Sequence, residues 1–191
     1  MDSRGLKINL IPSRILVLMQ FLPFLIVAVW VVFDQWLKAW VVTNIPNIND
    51  FSGAVHTIPG FLSLLHTTNK GAAWSLFSGA TPVLVVLRFV VGAGILYWVV
   101  RQPKLPKIQM VAYSLIVGGA FGNAIDGVMR GEVVDMLWSH WLSAVYGLLR
   151  RGEQFPIFNI ADTGVVCGVI LLLISSFLIP EKPKTPVKLE G

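Results

Sequence analysis

Residues 108–125 read IQMVAYSLIVGGAFGNAI, and Asp126 follows at once. A helix of about 20 largely apolar residues, rising 1.5 Å per residue, crosses the hydrocarbon core of a bilayer, and this uncharged run approaches that length. Ser114, Gly118 and Gly122 stand four apart in it. They form one stripe of small side chains, against which a neighbouring helix can approach closely. Asp126 continues the stripe, and Asn123 beside it needs hydrogen-bond partners that lipid cannot supply. The stretch reads as one member of a membrane-embedded helix bundle.

Three further runs of similar length flank it, at 15–32, 82–100 and 160–179. The 191-residue chain is 55% hydrophobic and only 13% charged, a balance that a soluble domain of this size does not normally carry. The fold class expected is an all-α integral membrane protein with four transmembrane helices, forming one domain over 1–180. A Lys/Pro-rich tail, 181–191, is expected to be disordered and cytoplasmic. Although the first run follows Arg4, Lys7 and Arg14, no small-residue cleavage site follows it, so it reads as a permanent span.

With four spans, Arg4, Lys7 and Arg14, then Arg101, Lys104 and Lys107, then Lys182, Lys184 and Lys188 fall on one side. The positive-inside bias makes that side the cytoplasm, with both termini there. The net charge of +5 is an orientation signal and an attraction to membrane lipid. No clustered basic patch interleaved with aromatic residues suggests nucleic acid. Cys167, the lone cysteine, cannot form an intrachain disulfide and reads as a packing residue of the last span.

The long connections 43–81 and 126–159 then lie on the outer side. In the first, the β-prone runs 54–58 and 61–67 around Pro59 and Gly60 predict a hairpin on the membrane surface. In the second, Trp138, Trp141, Leu142, Val145 and Leu149 are spaced as on an amphipathic interfacial helix ending at Arg150 and Arg151. A buried core helix is the alternative. If interfacial, that helix is placed to cover a site between the flanking acids.

Acids are scarce, and Asp34, Asp126, Asp135 and Asp162 fall near the outer ends of spans, where an ionisable group is a functional candidate by default. Two facing carboxylates can share one proton, so that one activates water while the other donates to a carbonyl oxygen. Spacing leaves plainer readings open. Asp162 would meet the dipole of a helix capped by Asn159, and Asp135 could be an interfacial acid. Asp34 and Lys38 are four apart in the favourable order for a structural ion pair. Arg88, inside the second span, could snorkel or pair within the bundle. No zinc-helix or nucleophile-elbow motif occurs, and His56, His66 and His140 lack ligand spacing, so no metal or cofactor is expected. A proton-coupled transporter would want acids deeper along a pathway, and a scaffold would need none.

Several motifs occur in order: Asp34-Gln-Trp-Leu-Lys38, Asn69-Lys-Gly-Ala-Ala-Trp-Ser75, Gly118-Gly-Ala-Phe-Gly-Asn-Ala-Ile-Asp126, Val133-Val-Asp135 and Phe155-Pro-Ile-Phe-Asn-Ile-Ala-Asp162. In this series the chain resembles the bacterial lipoprotein signal peptidases, or signal peptidase II, from about Asp34 to the end of the last span. The resemblance implies four helices, a small extracytoplasmic β-platform and an aspartic dyad of Asp135 and Asp162. It implies substrate-binding positions at Asn69, Gly71, Asn123 and Asn159, with Asp34, Lys38 and Asp126 in support. The implied activity is endoproteolysis of diacylglyceryl-modified prolipoproteins just before the lipid-modified cysteine, at the outer face of the bacterial inner membrane. A monomer is expected. Three departures stand out: Gly127 where the family usually has arginine, Trp74 where it has phenylalanine, and a long segment 136–154. Arg130, one turn beyond Asp126, is expected to supply the missing charge.

Overall fold

The computed structural model describes residues 13–48, 51–69 and 81–179. Gly71, Trp74 and the tail 181–191 lie outside the described residues. The four long helices are α1 (Ser13–Asn44), α2 (Thr81–Val100), α3 (Lys107–Met129) and α5 (Ile160–Leu178), each with a stretch apolar and long enough to cross a membrane. Between them lie β1 (His56–Ile58), β2 (Leu62–Asn69), β3 (Val133–Ser139) and the short α4 (His140–Leu149). The start of α1, the end of α5 and the α2–α3 connection share one end of the bundle; the sheet and α4 occupy the other.

α3 is the central helix, half of its span being buried where the others are mostly open to lipid. The small-residue stripe is the reason. Gly118 lies against Trp30 of α1, Gly122 against Asp34 and Ala161, and Gly119 so near the Ala161 carbonyl that no Cβ fits. The Trp30 ring also fills the space over Gly164 and donates from Nε1 to the Ile160 carbonyl at 3.2 Å. Three helices thus meet without intervening lipid. Gly127 has a comparable cause, since a side chain there would collide with Val85 of α2. Large apolar residues such as Val83, Val90, Leu173 and Phe177 cover the lipid-facing surface.

Four expectations are corrected. The first span does not stop at Val32; α1 continues to Asn44, so Asp34 and Lys38 sit inside the helix. Their charges are tolerated there because both are fully buried and paired with one another. Trp138 belongs to β3, not to the interfacial helix. Ser139 starts α4 as its N-cap, accepting from the Leu142 N–H, and Trp138 packs on Phe51 and His140. The sheet therefore has three antiparallel strands in the order β1-β2-β3, one more than the hairpin. Cys167 is exposed on the lipid side of α5, because Gly164 and Gly168 form that helix's packed face.

Candidate functional site

The site begins with a buried ion cluster. Lys38 Nζ lies 2.8 Å from both Asp34 Oδ2 and Asp126 Oδ2, with all three side chains fully buried. Arg130, at the end of α3, forms the expected ion pair with Asp126. Gln35 joins them, its Nε2 donating to Asp34, Asp126 and the Gly122 carbonyl. Charges of both signs satisfy one another here, as burial in a low dielectric requires.

The two acids also hold backbone. Asp34 Oδ1 accepts the Ala161 N–H at 2.8 Å, and Asp126 Oδ2 accepts the Val134 N–H at 3.1 Å. Ala161 immediately precedes Asp162, and Val134 immediately precedes Asp135. One buried cluster therefore fixes the backbone beside each carboxylate of the expected pair, although the pair lies on different elements.

β3 carries Asp135 with its neighbours Val133, Val134 and Met136 buried. The register of β2 on β3 shifts between Leu64 and Thr67, after which Thr67 opposes Asp135 and Asn69 opposes Val133. Such an irregularity re-aims side chains. Asn69 becomes the diagonal neighbour of Asp135 and donates to its Oδ2. The chain before α5 is tied to the same strand, Phe158 exchanging backbone hydrogen bonds with Leu137 at 2.8 and 3.0 Å.

Asn159 follows directly and bridges the two acids. Its backbone N–H donates to Asp162 Oδ2 at 3.2 Å while its Oδ1 accepts the Asp162 N–H at 2.8 Å, completing a capping box at the start of α5. Its Nδ2 donates to Asp135 Oδ1 at 2.7 Å and to Asn123 Oδ1 at 3.0 Å. Asn123 in turn donates to Asp162 Oδ1 at 2.8 Å and accepts from Lys38 Nζ at 3.0 Å. Cap, dyad and ion cluster form one continuous network.

Asp135 is 4% exposed. Burial, with the nearby Asp162 charge adding to it, pushes its carboxyl up to about 8, against the pull of Asn69, Asn159 and Lys38. At neutral pH Asp135 therefore favours its protonated form.

The carboxylates open on a cavity of about 780 Å³. Its polar lining includes Asn69, Arg88, Asn123, Asp135, Asp162 and Thr163, and Leu142, Tyr146, Phe155, Phe158 and Val166 form an apolar wall. α4 contributes Leu142 and Tyr146; the exposed Trp141 points elsewhere. The structure thus brings Asn69, Asn123, Asn159, Asp135 and Asp162 together, and sets Asp34, Lys38, Asp126 and Arg130 behind them. One participant, Gln35, was not singled out from sequence, and Arg88 was given a different role. Gln35 lies within the first motif quoted, and Arg88, read as a snorkelling or bundle-pairing residue, lines the cavity itself.

A family model described as signal peptidase (SPase) II matches residues 26–178. A lipoprotein signal peptidase of Deinococcus radiodurans is 46% identical over 162 residues, covering 85% of this chain and 82% of the relative. Another, from Enterococcus faecalis, is 40% identical over 151 residues, covering 79% and 84%. A solved bacterial membrane enzyme superposes with a TM-score of 0.66 at 33% identity, covering 84% of this chain and 94% of that one.

Proposed function

The chain belongs to the signal peptidase II family, and from that premise we propose that Asp135 and Asp162 are the catalytic pair of an aspartic endopeptidase. The protein is a multi-pass membrane peptidase that removes signal peptides from prolipoproteins. The cut falls immediately before the diacylglyceryl-modified cysteine. The scissile bond enters the cavity while the acyl chains stay in the outer leaflet, so the lipid anchor holds the reacting bond near the carboxylates and lowers the entropic barrier to attack.

The observation that carries this reading is the bridge made by Asn159, one residue hydrogen-bonded to both carboxylates. With its proton, Asp135 donates to the carbonyl oxygen of the scissile bond as water adds to the carbon. Asp162 is the base that takes a proton from that water, oriented by the donors Asn123 Nδ2 and Asn159 N. The nitrogen of the leaving chain then takes a proton as the C–N bond breaks, and the pair returns to its starting state. No covalent intermediate forms.

Asn69 and Asn123 border the cavity and face the bound chain as well as the carboxylates. Gly71 belongs to the same reading as a place of close approach for the substrate. Asp34, Lys38, Asp126 and Arg130 act through position alone, by fixing Ala161 and Val134. The enzyme works as a monomer, with its termini in the cytoplasm and the cavity toward the outer face.

The test is cleavage of a lipid-modified precursor by purified protein, comparing wild type with folded Asp135→Asn and Asp162→Asn. Each substitution is expected to lower turnover by about 10²- to 10⁴-fold. Normal cleavage by either variant rules out the dyad.

A further inference from the structure

Arg88 has no part in the chemistry above, yet it lines the cavity together with Asn69, Asn123, Asp135 and Asp162. Its depth follows from how α2 lies on α3. Val85 fills the space over Gly127, and the Phe89 ring sits 5.6 Å from that of Phe121. Arg88, between these contacts, is level with the α3 turn that carries Asn123, and Asn123 donates to Asp162. The guanidinium therefore lies at the depth of the two carboxylates but on a different wall, and the charges acting on it are those of Asp162, Asp135 and Asp126.

Lys38 is held by Asp34 and Asp126, Arg130 by Asp126, and neither lines the cavity. Gly127, where the family usually carries arginine, presents no side chain at all. Arg88 is the basic group among the described residues of the lining. A charge this far from the helix end is costly unless it faces a polar or water-filled space and has work there. A guanidinium has five N–H donors and no acceptor, so what it meets in the cavity is an acceptor. A precursor chain threaded past the dyad in hydrocarbon surroundings brings main-chain carbonyl oxygens, which need donors that lipid does not offer.

We propose that Arg88 is a substrate-positioning residue: its guanidinium hydrogen-bonds a carbonyl oxygen of the precursor beside the scissile bond and holds the chain against the two aspartates. The proposal rests on the reading of Asp135 and Asp162 as the catalytic pair. The carbonyl belongs to the peptide main chain or to an ester of the lipid modification, the same chemistry from two sources.

Binding is measured with full-length Asp135→Asn protein, which leaves the precursor intact, with and without Arg88→Gln or Arg88→Lys added. Arg88→Gln is expected to weaken binding of the lipid-modified precursor by roughly ten- to a hundredfold, the range for a hydrogen bond from a charged donor. Arg88→Lys keeps the charge without the planar fork and should recover part of the loss. In enzyme with both aspartates intact, the defect should appear in KM more than in kcat. An equal loss with unlipidated signal peptide assigns the contact to the main chain; a loss confined to the lipidated form assigns it to the ester.

Binding by Arg88→Gln within about twofold of its parent overturns the proposal. So does an unchanged KM with a displaced pH profile, which would make Arg88 a charge acting on the dyad alone. If Arg88→Gln does not fold, undiminished binding by Arg88→Lys with both forms of precursor overturns it. Normal cleavage by Asp135→Asn would instead sink the dyad reading, while the KM comparison in enzyme with both aspartates still reports on Arg88.

Discussion

Asn159 does two jobs that can be separated. As N-cap of α5 it accepts the Asp162 N–H through Oδ1, and through Nδ2 it reaches Asp135 and Asn123. Serine caps helices about as well as asparagine but has no amide to extend to Asp135. Asn159→Ser is therefore expected to stay within about 1 kcal/mol of wild-type stability while losing about tenfold or more in turnover. Asn159→Ala, which loses the cap as well, should be less stable by a further ~1 kcal/mol. Thermal unfolding in detergent, paired with precursor cleavage, separates the two effects. The other residue-scale consequence concerns pH. Asp135, pushed up to about 8 by burial and by Asp162, is the proposed donor of the reaction's proton. Below that pH the acid is loaded; as pH rises through it the proton is lost, so kcat/KM should fall tenfold per unit on the alkaline side. A profile flat from pH 7 to 10 would contradict the role given to Asp135. Residue by residue, the sequence was unevenly legible. Asn159 and Asp162 read as a helix start because capping depends on local spacing, and the motif series picked out the acids. Arg88 was undervalued because only the packing of Val85 on Gly127 reveals which wall of the cavity it occupies.

At the scale of elements, the apolar runs disclosed four spans, but periodicity failed where polar groups were buried in pairs. α1 was cut short because Asp34 and Lys38 look like an interface boundary; only the position of Asp126 on α3 shows that they lie inside the protein. Trp138 fitted a helical spacing with Trp141 and Leu142, although Ser139, a good N-cap residue, stood between them as a local sign that the helix begins later. The ion cluster is what joins the elements. Replacing Lys38 by Met would leave Asp34 and Asp126 buried without their shared counter-charge, and removing one partner from such a cluster costs about 3–5 kcal/mol. The exposed pair Arg150–Glu153, 3.8 Å apart with side chains 59% and 63% exposed, is screened by solvent and contributes little. We expect Lys38→Met to lower the unfolding temperature sharply and Glu153→Gln hardly at all. Adding Asp34→Asn to Lys38→Met should restore part of the stability but little activity, because the amide is a poorer acceptor for the Ala161 N–H that sits next to Asp162. If Lys38→Met proved as stable as wild type, the cluster would not be what unites α1, α3 and α5.

For the whole molecule the question is which way the bundle stands in the membrane. The helices place the start of α1, the end of α5 and the α2–α3 connection at one end, and the cavity toward the other. The rise from Asn123 to Met129 is about 9 Å at 1.5 Å per residue, so the dyad is recessed below the end of α3, within reach of a chain still anchored in the leaflet. Arg101, Lys104 and Lys107 lie at the end shared by the start of α1 and the end of α5, and short basic connections are retained in the cytoplasm. Arg150 and Arg151 lie at the cavity end, beside the exposed Leu148 and Leu149 of α4, where an amphipathic helix can rest against the headgroups with its arginines among the phosphates. They offset the bias without reversing it. Thiol labelling decides the matter. In a Cys167→Ala background, Lys104→Cys and Glu153→Cys each place one thiol on an exposed connection, and a membrane-impermeant maleimide is added to spheroplasts before and after permeabilisation. Glu153→Cys is expected to react at once and Lys104→Cys only after the membrane is opened. The opposite result would turn the cavity toward the cytoplasm, and a lipid-modified precursor anchored in the outer leaflet could then no longer bring its scissile bond to Asp135 and Asp162.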